Sequence, residues 1–141
     1  MNTLSEDPRL ATAQRALLIT GRALLGLYFI VPGISKITGW AAMSAYMEQH
    51  GVPLIPVLLA FTTILQIGGG ACLAIGYRAQ LMAFLLAGLT LMINLFMHDF
   101  WNVYEGTDQG HETQNFIKNL AIMAGLLYVA GMPTSRAGSQ D

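Results

Sequence analysis

Residues 79–97 read AQLMAFLLAGLTLMINLFM and contain no Asp, Glu, Lys or Arg in 19 positions. A helix rises about 1.5 Å per residue, so this stretch reaches about 28 Å, close to the thickness of the hydrocarbon core of a bilayer. Arg78 and Asp99 bracket the stretch and mark its two ends. The stretch therefore predicts a transmembrane helix.

The composition of the whole chain agrees with a membrane location. Of its 141 residues, 54% are hydrophobic and 11% are charged, whereas soluble domains carry about 25% charged residues. The net charge of −1 excludes the basic surface that a nucleic-acid partner requires. The single cysteine, Cys72, excludes an intramolecular disulfide, a CxxC redox pair and a cysteine-rich zinc site. We expect an integral membrane protein whose partner is the lipid bilayer.

Three further apolar stretches predict three more spans. Residues 51–77 form a run of 27 uncharged positions, residues 119–135 a run of 17, and residues 16–35 a run of 20 interrupted by Arg22. Backbone at membrane depth must satisfy its own hydrogen bonds, which favours helix throughout. Core helices of a soluble protein are disfavoured, since 141 residues leave little chain to bury them. A cleaved signal peptide is disfavoured because no small-residue cleavage site follows the first stretch.

The predicted fold class is all-α: an integral membrane, antiparallel four-helix bundle over residues 16–132. Its spans lie at about 16–35, 53–76, 79–97 and 116–132, between polar tails at 1–15 and 133–141. Four spans place both termini on one side, which carries more positive residues than the other. That side carries Arg9, Arg15, Arg22, Arg78 and Arg136, and the other Lys36 and Lys118. The positive-inside rule predicts a multi-pass protein of the bacterial inner membrane with both termini cytoplasmic.

Small residues recur on each span at helical spacing, as close helix packing in lipid requires. We expect the loops of residues 36–51 and 98–115 to lie on the outer side. The residues predicted to pack helices are Gly26, Gly33, Gly68, Gly69, Cys72, Gly76 and Gly125.

Polar side chains within or beside spans are the candidate functional residues, because hydrocarbon disfavours them. Asn94 and His98 step by four along the third span, and we expect them to form an outer vestibule with Lys36. Arg22 has no acidic residue in any span, so its expected partners are Gln66, backbone carbonyls or an anion. The alternatives are structural roles. Arg22 would extend its charged group to the lipid headgroups, and the side-chain amides would only form contacts between helices. The candidate site comprises Arg22, Lys36, Gln66, Asn94, His98, Trp101, Lys118 and Asn119.

Two sequence pairs, His98-Asp99 and His111-Glu112, contain metal-ligating chemistry. They are far apart in the chain, and no two histidines are spaced i, i+4 on one helix. We therefore predict no metal site. No Ser-His-Asp arrangement or phosphate-binding glycine loop can be assembled either, so the sequence assigns no catalytic residue.

The order of several short motifs resembles the DoxX family of small four-helix bacterial membrane proteins. The motifs are Gly21-Arg22 with Gly33-x-x-Lys36, Gln66-x-Gly68-Gly69-Gly70 with Gly76-x-Arg78, His98-x-Phe100-Trp101, and Phe116-x-Lys118-Asn119-Leu120-Ala121 leading to Gly125. Many relatives carry Glu where Gln66 stands, and a neutral amide cannot carry a proton. The resemblance implies the fold and the membrane location. The name-giving member resembles a subunit of a thiosulfate:quinone oxidoreductase.

These observations leave three hypotheses for function. The first is a non-catalytic subunit or scaffold of a redox-linked membrane complex, with a protein partner or as a homodimer. The second is a quinone-binding subunit, in which the candidate polar residues supply donors and stacking around an apolar slot. The third is transport of a small anion attracted by Arg22 and Lys36. No cofactor is evident in the sequence itself. The second hypothesis requires a bound quinone.

Overall fold

A computed structural model describes residues 7–133, and every regular element in that range is helical. The helices are α1 (Pro8–Thr38), α2 (Trp40–Gln49), α3 (Ile55–Ile64), α4 (Gly70–Ile75), α5 (Ala79–Met97) and α6 (Gln109–Ala130). A π-helical turn, Leu65–Gly69, joins α3 to α4 into one continuous rod. Most of the predicted C-terminal tail, with Arg136, lies outside the described residues, as do residues 1–6.

Three rods are long and apolar enough to cross a membrane: Pro8–Thr38, Ile55–Ile75 and Ala79–Met97. Only 17% of the apolar window of the first is buried, and 33% in each of the other two, so most of their apolar side chains face outward. Such surfaces are stable in lipid rather than in water. Helix α6, over which the sequence predicts the fourth span, is not among the three.

The N-terminal boundary differs from the predicted tail. Helix α1 begins at Pro8, where the Asp7 side chain caps it by accepting from the Arg9 amide at 3.0 Å. Residues 8–15 are therefore helical. The 31 residues of α1 extend about 46 Å, longer than the hydrocarbon core is thick.

The predicted loop of residues 36–51 is also different, because it contains helix α2. Gly39 separates α1 from α2, and its amide donates to the Ser35 carbonyl at 2.9 Å. Gly51, with φ of 68°, follows the end of α2. Glycine adopts that left-handed conformation without steric cost, so the chain can turn there toward α3.

Helix α1 packs against the α3–α4 rod through backbone contact at two glycines. A Cβ added to Gly26 would lie 2.4 Å from the Gly70 carbonyl oxygen, and one added to Gly70 would lie 2.7 Å from that of Gly26. Further along, Gly33 meets Ile67, whose Cγ1 would be 2.7 Å from an added Cβ. The absence of both Cβ atoms therefore sets the distance between the two rods.

The face of the rod differs in part from the expected one. The sequence predicted contact along Gly68, Cys72 and Gly76; α1 meets the rod at Ile67, Gly70 and Ala74, and the Arg22 side chain of α1 also packs on Gly76. Gly68 is exposed, with nothing within 4 Å of an added Cβ, and Cys72 is half-buried. A Cβ added to Gly69 would lie 3.6 Å from Leu86 of α5, and one added to Gly125 would lie 3.9 Å from Leu25.

Helices α5 and α6 lie antiparallel and join the same core. At one end the Gln80 side chain donates to the Met132 carbonyl, and at the other Asn94 Nδ2 donates to the Phe116 carbonyl at 3.0 Å. The buried apolar cluster is drawn from four rods: Phe29, Leu73, Ala83, Leu86, Ala87, Leu89 and Leu126. This packing gathers the end of α1, α2, the 98–108 loop and the start of α6 at one end of the molecule.

Candidate functional site

A histidine–carboxylate pair joins three helices at this end. His98, which ends α5, places Nδ1 2.6 Å from Oε2 of Glu112 in the first turn of α6. The Tyr46 hydroxyl of α2 lies 3.1 Å from Glu112 Oε1 and 3.2 Å from the Met97 carbonyl oxygen. Burial raises the pKa of Tyr46, and the Glu112 carboxylate raises it further. Tyr46 is therefore a protonated donor, and Glu112 is the shared acceptor.

A second pair lies beside the first. His50 Nδ1 is 3.0 Å from Asp99 Oδ1, and Asn102 and Tyr104 donate to Oδ2 at 2.7 and 2.6 Å. Burial would raise the pKa of Asp99, but the hydrogen bonds outweigh it and lower that pKa. The hydrogen bond to Asp99 raises the pKa of Tyr104. The ionised carboxylate thus holds three donors, and this cluster clamps α2 to the 98–108 loop.

These pairs differ from the two that the sequence suggested. Asp99 pairs with His50 rather than with the adjacent His98, and Glu112 pairs with His98 rather than with His111. His111 is exposed. Neighbours in sequence point in different directions on a helix or turn, whereas the fold brings α2, α5 and α6 together.

Asn94 and Asn119 bond to each other in the interior. Asn119 Nδ2 donates to Asn94 Oδ1 at 2.9 Å, and the Tyr28 hydroxyl donates to Asn119 Oδ1 at 3.1 Å. Asn94 in turn donates to the Phe116 carbonyl. The network links α1, α5 and α6, and its buried amides already have partners, as interhelical contacts in lipid require.

Beside the two histidine clusters lies a cavity of about 300 Å³. Apolar side chains from α2, α3 and α5 form most of its wall, Met47, Leu59 and Leu89 among them. Phe61 and Phe96 line it and are also 58% and 50% exposed, so part of the cavity wall lies at the outer surface. Its polar members are Lys36, Tyr46, Thr62 and His98.

Arg22 and Gln66 lie apart from the cavity and from each other. The Arg22 guanidinium packs on Gly76, where an added Cβ would be 2.6 Å from Nη2. That position is the C-terminal end of the α3–α4 rod, which favours a cation. Gln66, in the π turn, faces Gly33, which is 11 residues or about 16 Å along α1 from Arg22. The expected contact between Arg22 and Gln66 is therefore absent.

Both side chains contain a buried atom without a hydrogen-bond partner among residues 7–133: Arg22 Nε and Gln66 Oε1. Gln66 is 4% exposed. A π turn frequently accompanies a functional position in a helix. Within the part of the chain that the structure describes, neither residue is joined to a second polar side chain that would complete a site.

The two remaining candidates, Lys118 and Trp101, do not line the cavity. Lys118 is exposed and donates to Asn115 Oδ1 at 3.1 Å. Trp101 is 53% exposed and packs edge-on against Phe100 and Phe116, with ring centroids 5.3 and 5.9 Å apart. Of the eight predicted site residues, Lys36 and His98 line the cavity.

Sequence reasoning missed three residues of this region: Tyr28, Tyr46 and His50. Tyr46 and His50 are four residues apart and share a face of α2, with ring centroids 4.5 Å apart. Their spacing was visible, but residues 36–51 were interpreted as a loop. Over residues 7–133, no three His, Cys, Asp or Glu side chains are arranged to hold a metal ion. The absence of a metal site stays a prediction.

The profile of the DoxX family matches residues 17–99, more than half of the chain. The chain belongs to the DoxX family. This confirms the resemblance found in the sequence. The matched region of this DoxX protein contains α2, the α3–α4 rod, α5 and nearly all of the membrane part of α1.

Relatives of this DoxX protein include two inner membrane proteins of Escherichia coli strain K12. YqjF is 35% identical over 112 residues, covering 79% of this chain and 80% of YqjF. YphA is 26% identical over 130 residues, covering 92% and 91%. The ER-derived vesicles protein ERV29 of Saccharomyces cerevisiae is 30% identical over 117 residues, covering 83% of this chain but 30% of ERV29. No solved structure matches significantly. With the apolar rods, these relatives identify a multi-pass membrane protein.

Proposed function

We propose that α6 is a fourth span and that both termini are cytoplasmic. Helix α6 has 22 residues, enough to cross a bilayer, and lies antiparallel to α5 along its length. Arg22 and Arg78 lie at the proposed cytoplasmic end, and Lys36 and Lys118 at the other. The distribution of basic residues supports this orientation. Polar tails would flank the bundle at 1–7 and 133–141.

Reporter fusions test the number of spans. Alkaline phosphatase folds only outside the cytoplasm, so we expect activity when it is inserted at the exposed Gly106 and none when it is fused to the C-terminus. Green fluorescent protein at the C-terminus should fluoresce. An active C-terminal phosphatase, together with an active insertion at Gly106, would mean that α6 does not cross.

The cavity supports the binding of a lipid-soluble quinone by a non-catalytic membrane subunit. A volume of about 300 Å³ is at the lower end of ligand pockets and can hold a single substituted ring. Phe61 and Phe96 line the cavity and are exposed on the surface, and an opening at these two residues would give the ligand's isoprenoid tail a path into lipid. Lys36 supplies a donor for a ring oxygen at the polar end, since it makes no hydrogen bond or ion pair to residues 7–133. The observation that carries this proposal is a largely apolar cavity whose lining includes surface-exposed phenylalanines and the Lys36 amine.

The proposed role as a non-catalytic subunit follows from the absence of a dithiol redox couple in the sequence. The chain has one cysteine, so it cannot form a dithiol couple of its own. Electrons for the bound quinone would then come from a partner protein in a redox-linked complex. A homodimer is a further possible arrangement of such a subunit.

A cavity-filling variant tests quinone binding. Thr62 lines the cavity, and Thr62→Trp should occupy the space of the ring and weaken binding at least tenfold. Val57 lies on the same helix, is 65% exposed and does not line the cavity, so Val57→Trp is the matched control. We would measure binding of a benzoquinone with one isoprenyl unit by equilibrium dialysis, with protein in lipid nanodiscs. Equal affinities of the two variants, or no binding by the unmodified chain, would contradict the proposal.

Two other functions fit less of the structure. A scaffold is favoured by the outward Trp101 and Val103, 53% and 76% exposed in the 98–108 loop. It predicts that Val103→Asp separates the chain from a co-purifying partner without changing quinone binding. Transport of an anion by Arg22 and Lys36 is disfavoured, because 14 residues of α1 place the two about 21 Å apart.

A further inference from the structure

We infer that the cavity accepts bicyclic as well as monocyclic quinones, an inference that rests on the proposed quinone site and names the ring sizes that the site takes. A naphthoquinone differs from a benzoquinone by a fused ring of four further carbon atoms. Whether one cavity holds both depends on how far its wall can change shape. Methionine side chains form the adjustable part of this wall.

Methionine is concentrated around the cavity. Four of the chain's eight methionines are among the 15 lining residues, which make up about a tenth of the chain. Met43 and Met47 lie four residues apart on α2, and Met92 and Met97 lie on α5. Two separate helices therefore contribute methionines, so a change of rotamer on either helix alters the shape of the cavity.

Three of the four methionines have space to change rotamer. Met47 is buried, whereas Met92 is 47% exposed and Met43 and Met97 are half-buried. A fully buried side chain in a close-packed interior moves only when its neighbours move, but a partly exposed side chain can turn toward the surface. The adjustable residues are therefore Met43, Met92 and Met97.

The other apolar residues of the wall are stiffer. Leu59 and Leu89 are buried, and Val52 and Ile93 are branched at Cβ and therefore restricted at χ1. Methionine is unbranched, has three rotatable bonds and carries a polarisable sulfur that contacts aromatic rings favourably. Proteins that bind several partners use methionine-rich surfaces, which can repack around each of them. The methionines thus determine whether a second ring fits.

The test compares two ring sizes on one tail. A benzoquinone and a naphthoquinone, each with one isoprenyl unit, are dialysed to equilibrium against the full chain in lipid nanodiscs. Nanodiscs without protein correct for partition of each compound into lipid. We expect the two affinities to agree within about threefold, whereas overpacking of a wall that could not adjust would weaken the naphthoquinone about tenfold or more.

The double variant Met43→Ile with Met92→Ile tests the role of the methionines. Isoleucine has the same number of side-chain heavy atoms, but its branched Cβ makes it stiff at χ1. The variant should weaken the naphthoquinone about tenfold and the benzoquinone less than about threefold. Met82→Ile with Met123→Ile is the matched control, because both residues pack against the core cluster and neither lines the cavity. The control should bind both rings as the unmodified chain does.

Retained binding of the benzoquinone shows that the double variant is folded. If the double variant does not fold, each single variant, Met43→Ile or Met92→Ile, should still weaken the naphthoquinone more than the benzoquinone. Binding of the benzoquinone alone by the unmodified chain would overturn the inference and leave the quinone site intact. Unchanged binding of both rings by the cavity variants, or an equal change in the control, would also overturn it. A chain that binds no benzoquinone would overturn the proposed function and the inference together.

Discussion

Gly26→Ala is expected to lower the free energy of unfolding by about 3 kcal/mol, at the upper end of the cost of overpacking. The added Cβ would lie 2.4 Å from the Gly70 carbonyl oxygen and 2.7 Å from Ala74 Cβ. The first of these contacts is to backbone, so no rotamer change relieves it, and α1 must move away from the α3–α4 rod. Contacts of Phe29 with the core would weaken as a consequence.

Gly21→Ala is the matched control on the same helix. Gly21 is exposed, and nothing lies within 4 Å of an added Cβ. We would measure the thermal midpoint of purified protein in detergent, and expect a fall of about 10 °C for Gly26→Ala and little change for Gly21→Ala. Comparable midpoints for the two variants would contradict backbone contact between the rods.

Asp99→Ala is expected to destabilise the end of the molecule that contains α2 and the 98–108 loop, by about 3 kcal/mol. Asp99 is 7% exposed and accepts from His50, Asn102 and Tyr104, so its removal leaves buried donors without partners. Helix α2 would lose its clamp to the 98–108 loop. Glu105→Ala is the matched control, since it removes an exposed carboxylate from the same loop.

The effect of Asp99 also has a defined pH dependence. Its pKa in the folded protein is below its ordinary value, so the unfolded chain takes up the proton first as the pH falls. The stabilisation is therefore complete above about pH 4, the ordinary carboxyl pKa, and is lost as the pH falls through the lower folded value. The difference in midpoint between Asp99→Ala and the unmodified chain should shrink between pH 7 and pH 3. A difference that is constant with pH would exclude an ionised Asp99.

Residue chemistry predicted which side chains lie at the site better than it predicted their hydrogen-bond partners. His98 and Lys36 were selected because polar groups at the ends of spans are costly, and both line the cavity. Lys118 was selected on the same ground and is exposed beside Asn115. Hydropathy does not distinguish a polar residue that lines the cavity from one that is exposed. Which side of α6 faces the bundle depends on how α6 packs against α5.

The hydrogen-bond partners show this most clearly. The pair of His98 with Glu112 spans 14 positions, and that of His50 with Asp99 spans 49. Such pairs have no local periodicity and arise only when separate helices meet. Tyr46 and His50 have a local signal in their spacing of four, which the interpretation of residues 36–51 as a loop concealed.

The sequence by itself determined that this is a helical membrane protein of the DoxX family. Uncharged runs of bilayer length are a one-dimensional property, because the energy of placing each side chain in lipid depends on that side chain and its immediate neighbours. Only the tertiary structure decided that Gly26 meets Gly70, that Gly68 lies outside the contact, and that His98 beside the cavity bonds to Glu112. These are contacts between rods, and the rotation of each rod about its axis is set by steric fit and hydrogen bonding across the interface.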